Sequence, residues 1–478
     1  MRKTKIICTI GPATGSFEML EHLAEAGMNV ARLNMSHGNH KSHALVIKYI
    51  RTLNKRLKYP IAIMLDTQGP EIRTGDRAED LQLSSGDIIS IVARGTKDVE
   101  SSSIQVNYDD LINDLNVSDF VTVDNGLINL QVLSKENRIM RCKVIDGGVL
   151  KSKRHVNLPG VRVNLPAITD KDRRDIEFAK SQEVDFIALS FVRQASDIDD
   201  LKILLGSKAK KIKVIAKLED QEAITNMVEI TAAADGIMVA RGDLGVEIRL
   251  EVLPRIQRRI IRTCAEMGKR VIVATHMLES MIENAMPTRA EVTDVANAVY
   301  EEADAIMLSG ETTVGRYPIK CVEILDRIAR STESSRGLRF TDNLRLENDK
   351  QHIAQAAVNL AESISAKAII VPTRRGRMAN LVTNCHPQKP IICAFTNDSR
   401  TRRQLVLNRN VISYRIKFSS DPEKTLTSAA EIMVQRGEFS SQDRVVVISD
   451  ALAGSGVEAI QIRLIGDLLP SNSSPPQE

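Results

Sequence analysis

Short aliphatic runs recur along this chain, and amphipathic stretches that fit helices separate them. Each run has the length and the β-branched composition of a strand that is buried on both faces, as in a parallel sheet. Strands of this kind that alternate with helices predict an α/β fold, a (β/α)8 TIM barrel, whose ligand-binding side chains lie at the carboxyl ends of the strands. The eight runs are residues 5–10, 30–33, 61–65, 186–189, 213–216, 236–239, 271–274 and 305–308.

The stretches between the runs carry the signals of helix ends. Thr288 and Glu291 have the spacing of a capping box, which predicts a helix over residues 288–300. Pro318 suits the first turn of a further helix. The first of these helices has an apolar face made of Val292, Val295, Ala296 and Val299.

The alternation of runs and helices is interrupted once and changes again near residue 335. Residues 70–166 alternate polar with apolar side chains and contain turn signals, which predicts a small inserted β-barrel domain. Because this domain leaves the third strand and returns before the fourth, we expect it to stand over the barrel mouth as a lid. A second α/β domain is predicted from a helix near 353–364 and strands at 368–371, 391–395 and 444–448. The predicted segments are the barrel in two parts (1–69 and 167–334), the lid (70–166), the C-terminal α/β domain (335–469) and a disordered tail (470–478).

Composition and charge exclude several classes of function. No apolar run approaches the roughly 18 residues of a membrane helix, and the first ten residues have the pattern of a strand rather than of a signal peptide. Aromatic residues make up 3% of the chain and the net charge of +4 is dispersed, so we expect no nucleic-acid partner. The six cysteines have neither zinc-binding nor disulfide spacing, which predicts a cytoplasmic location.

Two carboxylates follow neighbouring apolar runs. Glu219 comes after the run 213–216, and Asp243 comes after the run 236–239. Such a sparse pair of hard oxygen ligands suits Mg²⁺ or Mn²⁺, whose remaining ligands are waters and substrate oxygens. The alternative is a pair of salt bridges with Lys217 or Arg241. The placement of several polar groups at one predicted rim favours the metal site.

Cationic side chains occupy the same predicted rim. Lys217 lies two residues before Glu219, so both point to one side of an extended strand, where a lysine can neutralise negative charge that develops on a bound anion. Arg32 and Arg73 follow adjacent runs and offer planar forks for phosphate or carboxylate oxygens. For each of these residues a surface or structural role is the alternative.

A third group at the rim has little charge. It supplies neutral oxygens and one carboxylate, which suits a monovalent cation, although turn formation and helix capping explain the same residues. The group consists of Asn34, Ser36, Asp66 and Thr67. Gly242 permits the close approach of an anion to the backbone, with a plain turn as the alternative.

Taken together, these motifs resemble the pyruvate kinase family. The resemblance covers the barrel closely, the inserted domain mainly at its end (156–160) and the C-terminal domain by architecture. The segments that carry it are TKIICTIGPAT (4–14), NVARLNMSHG (29–38), LDTQGPEIRT (65–74), IMVARGDLG (237–245), ATHMLESM (274–281) and IMLSGET (306–312).

The resemblance implies a phosphotransferase that moves the phosphoryl group of phosphoenolpyruvate to ADP, giving pyruvate and ATP in the final step of glycolysis. It implies that Glu219 and Asp243 bind Mg²⁺ or Mn²⁺, and that Thr275 and Ser309 belong to the network that protonates the enolate. The implied contacts of phosphoenolpyruvate are Arg32, Gly242, Asp243 and Thr275. The implied catalytic residues are Lys217, Thr275, Arg73 and Ser309.

The resemblance also implies a potassium site, a nucleotide site and an assembly. Potassium would lie among Asn34, Ser36, Asp66 and Thr67, and Glu71 matches the variant of the family that requires this ion. The implied nucleotide contacts are Pro12, Asn34, His37, Arg73, Lys153 and Arg154. The family is commonly a homotetramer. The basic loop 372–378 precedes a predicted helix, where a sugar-phosphate effector could bind, and a solvated loop is the alternative. The family's own effector segment is not clearly matched near 451–456.

Two other functions fit parts of the sequence. One is a different metal-dependent barrel that acts on an enolate, such as an aldolase or a phosphoenolpyruvate mutase, and a requirement for ADP would exclude it. The other is a non-catalytic sensor that binds phosphoenolpyruvate without turnover.

Overall fold

The computed structural model describes residues 1–93, 96, 103–124, 126–136, 138–161, 165–450 and 458–470. The predicted tail beyond residue 470 and the segment 451–456 lie outside these ranges. The strands are β1 Lys5–Thr9, β2 Val30–Asn34, β3 Ala62–Asp66, β4 Leu81–Leu83, β5 Ile88–Ala93, β6 Ile104–Val106, β7 Phe120–Val123, β8 Ile128–Glu136, β9 Ile139–Asp146, β10 Gly148–Leu150, β11 Val156–Asn157, β12 Phe186–Leu189, β13 Lys213–Leu218, β14 Gly236–Ala240, β15 Arg270–Ala274, β16 Ala305–Leu308, β17 Ala368–Pro372, β18 Ile391–Thr396, β19 Val411–Arg415, β20 Arg444–Asp450 and β21 Glu458–Leu464.

Helices separate most of the barrel strands and flank the C-terminal sheet. The α-helices are α1 Phe17–Ala26, α2 His40–Leu53, α3 Leu111–Asp114, α4 Asp170–Ser181, α5 Ala195–Leu205, α6 Gln221–Thr225, α7 Met227–Ala233, α8 Arg241–Glu247, α9 Leu253–Glu266, α10 Arg289–Tyr300, α11 Gly310–Thr313, α12 Pro318–Thr332, α13 Asp349–Ser363, α14 Arg377–Asn384, α15 Ser399–Gln404, α16 Pro422–Gln435 and α17 Ile465–Leu468.

Eight parallel strands close into a barrel in the order β1-β16-β15-β14-β13-β12-β3-β2. All eight predicted runs coincide with these strands, so the predicted fold class is confirmed. Buried aliphatic side chains fill the barrel, among them Ile7, Met64, Ile215 and Met238. A second apolar layer joins the outer faces of the strands to the surrounding helices. The carboxyl ends of all eight strands therefore meet at one rim.

The helix predicted over 288–300 is α10. Thr288 caps it and accepts a hydrogen bond from the Glu291 amide, and the reciprocal bond completes the capping box. Pro318 begins α12 as predicted. The apolar face of α10 is narrower than predicted, because Val292 is 37% exposed.

The chain between β3 and β12 forms a β domain with its own hydrophobic core. Six strands form one sheet in the order β11-β7-β8-β9-β5-β6, and β10 and β4 form a separate antiparallel pair. Within its described residues the domain contains these two sheets and the short helix α3, and its chain leaves the barrel after the third barrel strand and returns before the fourth. The residue boundaries given above for the domains stay predictions.

The C-terminal α/β domain has a five-stranded sheet in the order β19-β18-β17-β20-β21. The predicted helix and three predicted strands correspond to α13, β17, β18 and β20. The edge strands β19 and β21 were not predicted. Lys5 Nζ donates to the Val411 carbonyl oxygen at 2.8 Å, and Arg403 Nε lies 2.9 Å from Asp185 Oδ1. Since Lys5 begins β1 and Asp185 precedes β12, the domain docks at the amino ends of the barrel strands, opposite the rim.

Glu302 connects the barrel to the C-terminal domain and contributes to stability. Its side chain is 3% exposed and accepts hydrogen bonds from the Arg339 amide (2.9 Å) and Gln388 Nε2 (3.1 Å). Burial alone would raise the pKa of Glu302, but His386, Arg409 and Gln388 lower it from 4.5 to about 2. We expect Glu302→Gln to lower the free energy of unfolding by up to about 3 kcal/mol at pH 7.

The sign of this effect fixes its pH window. A carboxyl group whose folded-state pKa is depressed contributes stability above its unfolded value, and the contribution is lost as the pH falls from about 4.5 towards 2. Thermal unfolding at several pH values would measure the difference from wild type, which should shrink below about pH 4.5. Glu347→Gln, at an exposed position, is the control. A difference in stability between wild type and Glu302→Gln that stays constant across this pH range would contradict the lowered pKa of Glu302.

Candidate active site

Lys217 lies at the centre of the rim and is 8% exposed. Its Nζ lies 2.8 Å from Glu219 Oε1 and 3.2 Å from Asp66 Oδ1, and it donates a hydrogen bond of 2.7 Å to Ser190 Oγ. Burial alone would lower the pKa of Lys217, but the carboxylates of Asp66 and Glu219 raise it above its ordinary value. The ammonium group therefore stays charged in a buried position, ready to face an anion.

Arg32 and Asp66 form a buried ion pair beside this lysine. Arg32 Nε donates to Asp66 Oδ2 at 2.6 Å, and Arg32 Nη1 donates to Thr9 Oγ1 at 2.9 Å. Burial would raise the pKa of Asp66, yet Arg32 and Lys217 lower it. Asp66 thus remains ionised and holds both cationic side chains at the carboxyl ends of three barrel strands.

Glu219 and Asp243 follow the paired strands β13 and β14 at the same rim. Glu219 is 1% exposed and its Oε2 accepts a hydrogen bond of 2.6 Å from the Phe191 amide. Burial raises the pKa of Glu219 to about 7 and raises the pKa of Asp243, and each carboxyl group perturbs the other. In the alternative interpretation both carboxylates would pair with Lys217 or Arg241. Glu219 does pair with Lys217, whereas Arg241 Nη1 binds Asp294 at 2.7 Å.

The two carboxylates fit a divalent cation. Burial disfavours the ionised form of both carboxyl groups, as their raised pKa values show. A positive ion between them offsets this cost. Across the described ranges, no three His, Cys, Asp or Glu side chains converge as metal ligands. A pair of protein carboxylates with the other positions left to water and substrate is the arrangement that Mg²⁺ accepts.

Thr275 and Gly242 form the next part of the rim. The Gly242 amide donates to Thr275 Oγ1 at 2.7 Å, and a Cβ at Gly242 would lie 3.4 Å from that oxygen. Thr275 has φ of 68°, a strained conformation for a β-branched residue. Arg241 Nη2 donates to the Thr275 carbonyl oxygen at 2.7 Å and holds this turn in place. Ser309 follows β16, and its buried Oγ has no hydrogen-bond partner within the described residues.

The residues proposed for potassium lie together at the ends of β2 and β3. Asn34 and Asp66 are register partners in these strands, and Asn34 Oδ1 accepts a hydrogen bond of 3.1 Å from the Ser36 amide. Thr67 Oγ1 accepts from the Ser190 amide at 3.0 Å. The four residues thus lie at the ends of two paired strands, and the side-chain oxygens of Asn34 and Thr67 are engaged in local hydrogen bonds.

The nucleotide residues are more dispersed. Arg73 Nε lies 2.7 Å from Glu71 Oε2, and Arg73 Nη1 donates to the Lys153 carbonyl oxygen at 2.9 Å. Arg154 Nη1 instead lies 3.3 Å from Asp124 Oδ1 inside the inserted domain. Of the other four, Pro12, His37 and the side chain of Lys153 are exposed, and Asn34 is half-buried.

Ser190 is a residue of the site that the sequence reasoning missed. Its Oγ accepts the hydrogen bond of Lys217 and donates to the Thr67 carbonyl oxygen at 2.7 Å. It therefore links the lysine to the segment after β3. Its position directly after the run 186–189, at the same rim as the other polar groups, is the signal that could have found it.

Two family models match the chain, and together they cover most of it. The pyruvate kinase barrel domain matches residues 1–322, and the pyruvate kinase alpha/beta domain matches residues 351–461. The chain belongs to the pyruvate kinase family. It is accordingly a phosphotransferase of the TIM-barrel class, as its sequence predicted.

Individual pyruvate kinases resemble the chain over nearly its whole length. Pyruvate kinase isozyme G, chloroplastic, of Nicotiana tabacum is 45% identical over 453 residues, which cover 94% of this chain and 80% of the relative. The pyruvate kinase of Staphylococcus epidermidis is 41% identical over 98% of this chain and 81% of its own. A crystal structure of a pyruvate kinase from Cryptosporidium parvum superposes with a TM-score of 0.91 at 35% identity, covering 97% of this chain and 96% of that one.

Among the described residues, no helix has both the length and the apolar character that a membrane span requires.

Proposed function

We propose that this chain transfers the phosphoryl group of phosphoenolpyruvate to ADP, and that the rim around Lys217 carries out the reaction. The observation that carries the proposal is the position of the Lys217 ammonium. It pairs with Asp66 and with Glu219, one of the two carboxylates proposed to hold the metal. Phosphoryl transfer needs positioning and charge neutralisation more than covalent chemistry, and this cluster supplies both.

Each cationic group has a distinct role. Lys217 neutralises the charge on the transferring phosphoryl group and on the enolate that it leaves. Arg32 is fixed by Asp66 and Thr9 through Nε and Nη1, and it binds the substrate phosphate through Nη2. The Gly242 amide, Asp243 and Thr275 complete the contacts with phosphoenolpyruvate.

Glu219 and Asp243 hold Mg²⁺ or Mn²⁺, which supplies Lewis-acid polarisation of substrate oxygens when bound. Burial of Glu219 favours this role because a desolvated carboxylate gains most from a cation. The Phe191 amide donates to Glu219 Oε2 and so fixes the orientation of this carboxylate.

Thr275 and Ser309 belong to the proton-donor network for enolpyruvate. The support is that Thr275 Oγ1 is fixed by the Gly242 amide and that the buried Ser309 Oγ has no protein partner within the described ranges. Arg73 and the exposed residues Pro12, His37 and Lys153 face ADP together with Asn34 and Arg154. The ion pair of Arg73 with Glu71 orients the guanidinium at the base of the lid.

The test of this function is pyruvate formation from phosphoenolpyruvate and ADP with Mg²⁺, followed with purified full-length protein. We expect turnover that requires both ADP and the divalent cation. Turnover without ADP would indicate an aldolase or mutase. Binding of phosphoenolpyruvate by folded protein without any turnover would indicate a sensor.

We also propose that potassium binds among Asn34, Ser36, Asp66 and Thr67. Asp66 gives the site one negative charge, which two cationic neighbours offset, so a weakly held monovalent ion suits it better than a second divalent ion. We expect faster turnover in potassium than in sodium at equal ionic strength, measured by the same assay. Equal rates in the two salts would remove this assignment and leave the divalent site intact.

A sugar phosphate is the proposed effector. The loop 372–378 ends at α14, and Arg375 and Arg377 line a cavity of about 280 Å³ together with Lys213, Lys269 and Arg270. Asp235 also lines the cavity and pairs with Lys213, and the remaining excess of positive charge attracts phosphate. Activation or inhibition by sugar phosphates, lost in Arg375→Ala, would support it.

A homotetramer and a cytoplasmic location complete the proposal. The six cysteines are free thiols and five of them are buried, which suits a reducing compartment. Light scattering on the purified chain and fractionation of cells measure these two properties.

A further inference from the structure

Glu247 lies where three parts of the structure meet. It ends α8, the helix that begins Arg241-Gly242-Asp243, so it lies one turn after the proposed metal ligand Asp243. Its backbone carbonyl oxygen accepts a hydrogen bond of 2.6 Å from Gln221 Nε2. Because Gln221 is two residues after Glu219, this bond ties together the two segments that carry the metal carboxylates.

The third part is the inserted domain. Asn157 belongs to β11, which pairs with β7 of the inserted sheet, and its Nδ2 donates to Glu247 Oε1 at 2.9 Å. Asn157 is 4% exposed, and its Oδ1 has no hydrogen-bond partner in the described part of the chain. The bond to Glu247 is therefore what fixes the orientation of this amide. The carboxylates of Asp220 and Asp243 act on Glu247 as like charges, whereas Asn157 stabilises it.

We propose that Asn157 and Glu247 form a positioning contact, which couples the orientation of the inserted domain to the spacing of Glu219 and Asp243. The inference rests on the proposed function, since it takes these two carboxylates as the metal ligands. A shift of β11 pulls on Glu247 and so on α8, which moves Asp243. The bond from Gln221 opposes any separation of α8 from the segment after Glu219. Lid movement thereby changes how tightly the rim holds a divalent cation.

The test measures Mn²⁺ binding to the full-length protein by electron paramagnetic resonance, which needs no turnover. Groups that orient metal ligands typically change metal affinity by 10- to 100-fold, so we expect Asn157→Ala to weaken Mn²⁺ binding about tenfold. Glu247→Ala removes the same hydrogen bond from the barrel side and should have an equal effect. Glu247→Gln keeps an acceptor oxygen for Asn157 and should restore affinity towards wild type.

A matched control separates positioning from general stability. Asn129 Nδ2 donates to Asp146 Oδ2 at 2.9 Å, the same kind of bond, within the inserted sheet. Asn129→Ala should leave Mn²⁺ affinity unchanged. In steady-state assays the Asn157→Ala effect should fall on the half-saturating Mg²⁺ concentration more than on kcat.

The outcomes distinguish this inference from the proposed function. Wild-type affinity in both Asn157→Ala and Glu247→Ala, with wild type active, would overturn the coupling alone. The same loss in Asn129→Ala as in Asn157→Ala would also overturn it, because lid stability would then explain the effect. Absence of Mn²⁺ binding by wild type would overturn the metal assignment and this inference with it.

Discussion

Lys217→Met should lower kcat about 1000-fold, the loss expected when a preorganised group that stabilises transition-state charge is removed. Methionine has a similar length, but it brings no charge to the position that Asp66 and Glu219 share. The substrate phosphate would keep Arg32 and the divalent cation as partners. The loss should therefore appear mainly in kcat, measured by pyruvate formation at saturating phosphoenolpyruvate and ADP.

The control has to account for stability. Removing Lys217 takes away the cation paired with the buried Glu219 and one of the two cations paired with Asp66, which keeps Arg32. Breaking a buried ion pair in this way costs about 3–5 kcal/mol. Lys213→Met is the matched variant, because Lys213 begins the same strand and its Nζ lies 2.8 Å from Asp235 Oδ1, away from the rim. If Lys217→Met is folded by circular dichroism and turns over as fast as Lys213→Met, Lys217 has no role in the chemistry.

The position of Lys217 shows why much of the site could be predicted. Lys217 lies within β13 near the carboxyl end of the strand, and Glu219 is the first residue after the strand. Alternation along an extended strand sends both side chains to the same side, so their contact follows from spacing alone. The barrel was predictable for a related reason: parallel strands covered on both faces appear in the sequence as continuous apolar runs.

Ser190 shows where such reasoning ends. A serine after a strand carries no charge and is common in turns, so its type does not identify it. Its contacts depend on β12 lying next to β3, which brings it to Thr67 and Lys217. Strand order in a closed barrel follows from topology, but which hydroxyl meets which ammonium depends on side-chain packing.

Two strands of the C-terminal domain also could not be predicted from the sequence. The strand β19 has the sequence VISYR, with serine among its apolar residues, and β21 is EAIQIRL, which alternates because it is an antiparallel edge strand. Neither is the continuous apolar run that identified the central strands. The ion pair of Arg154 could not be predicted either, because Asp124 comes near Arg154 only through strand pairing within the inserted domain.

The second large effect is expected for the carboxylate pair. Glu219→Gln should weaken Mn²⁺ binding by at least about 100-fold, because the loss of a charged ligand costs no less than the upper end of the 10- to 100-fold range for groups that orient metal ligands. Glutamine keeps an oxygen that can accept from the Phe191 amide, but it removes the negative charge and places an NH₂ group beside the Lys217 ammonium. Electron paramagnetic resonance of Mn²⁺ measures the change without turnover.

Asp220→Asn is the matched control, because Asp220 is the next residue and caps α6 by accepting from the Ala223 amide at 2.7 Å. Asparagine preserves this cap, so Mn²⁺ affinity should stay near wild type. Asp243→Asn should reproduce the loss seen in Glu219→Gln. Because both carboxylates hold one ion, the double variant should lose much less affinity than the sum of the two single losses. Fully additive losses would mean that Glu219 and Asp243 act at separate places, and the single divalent site at this rim would then be wrong.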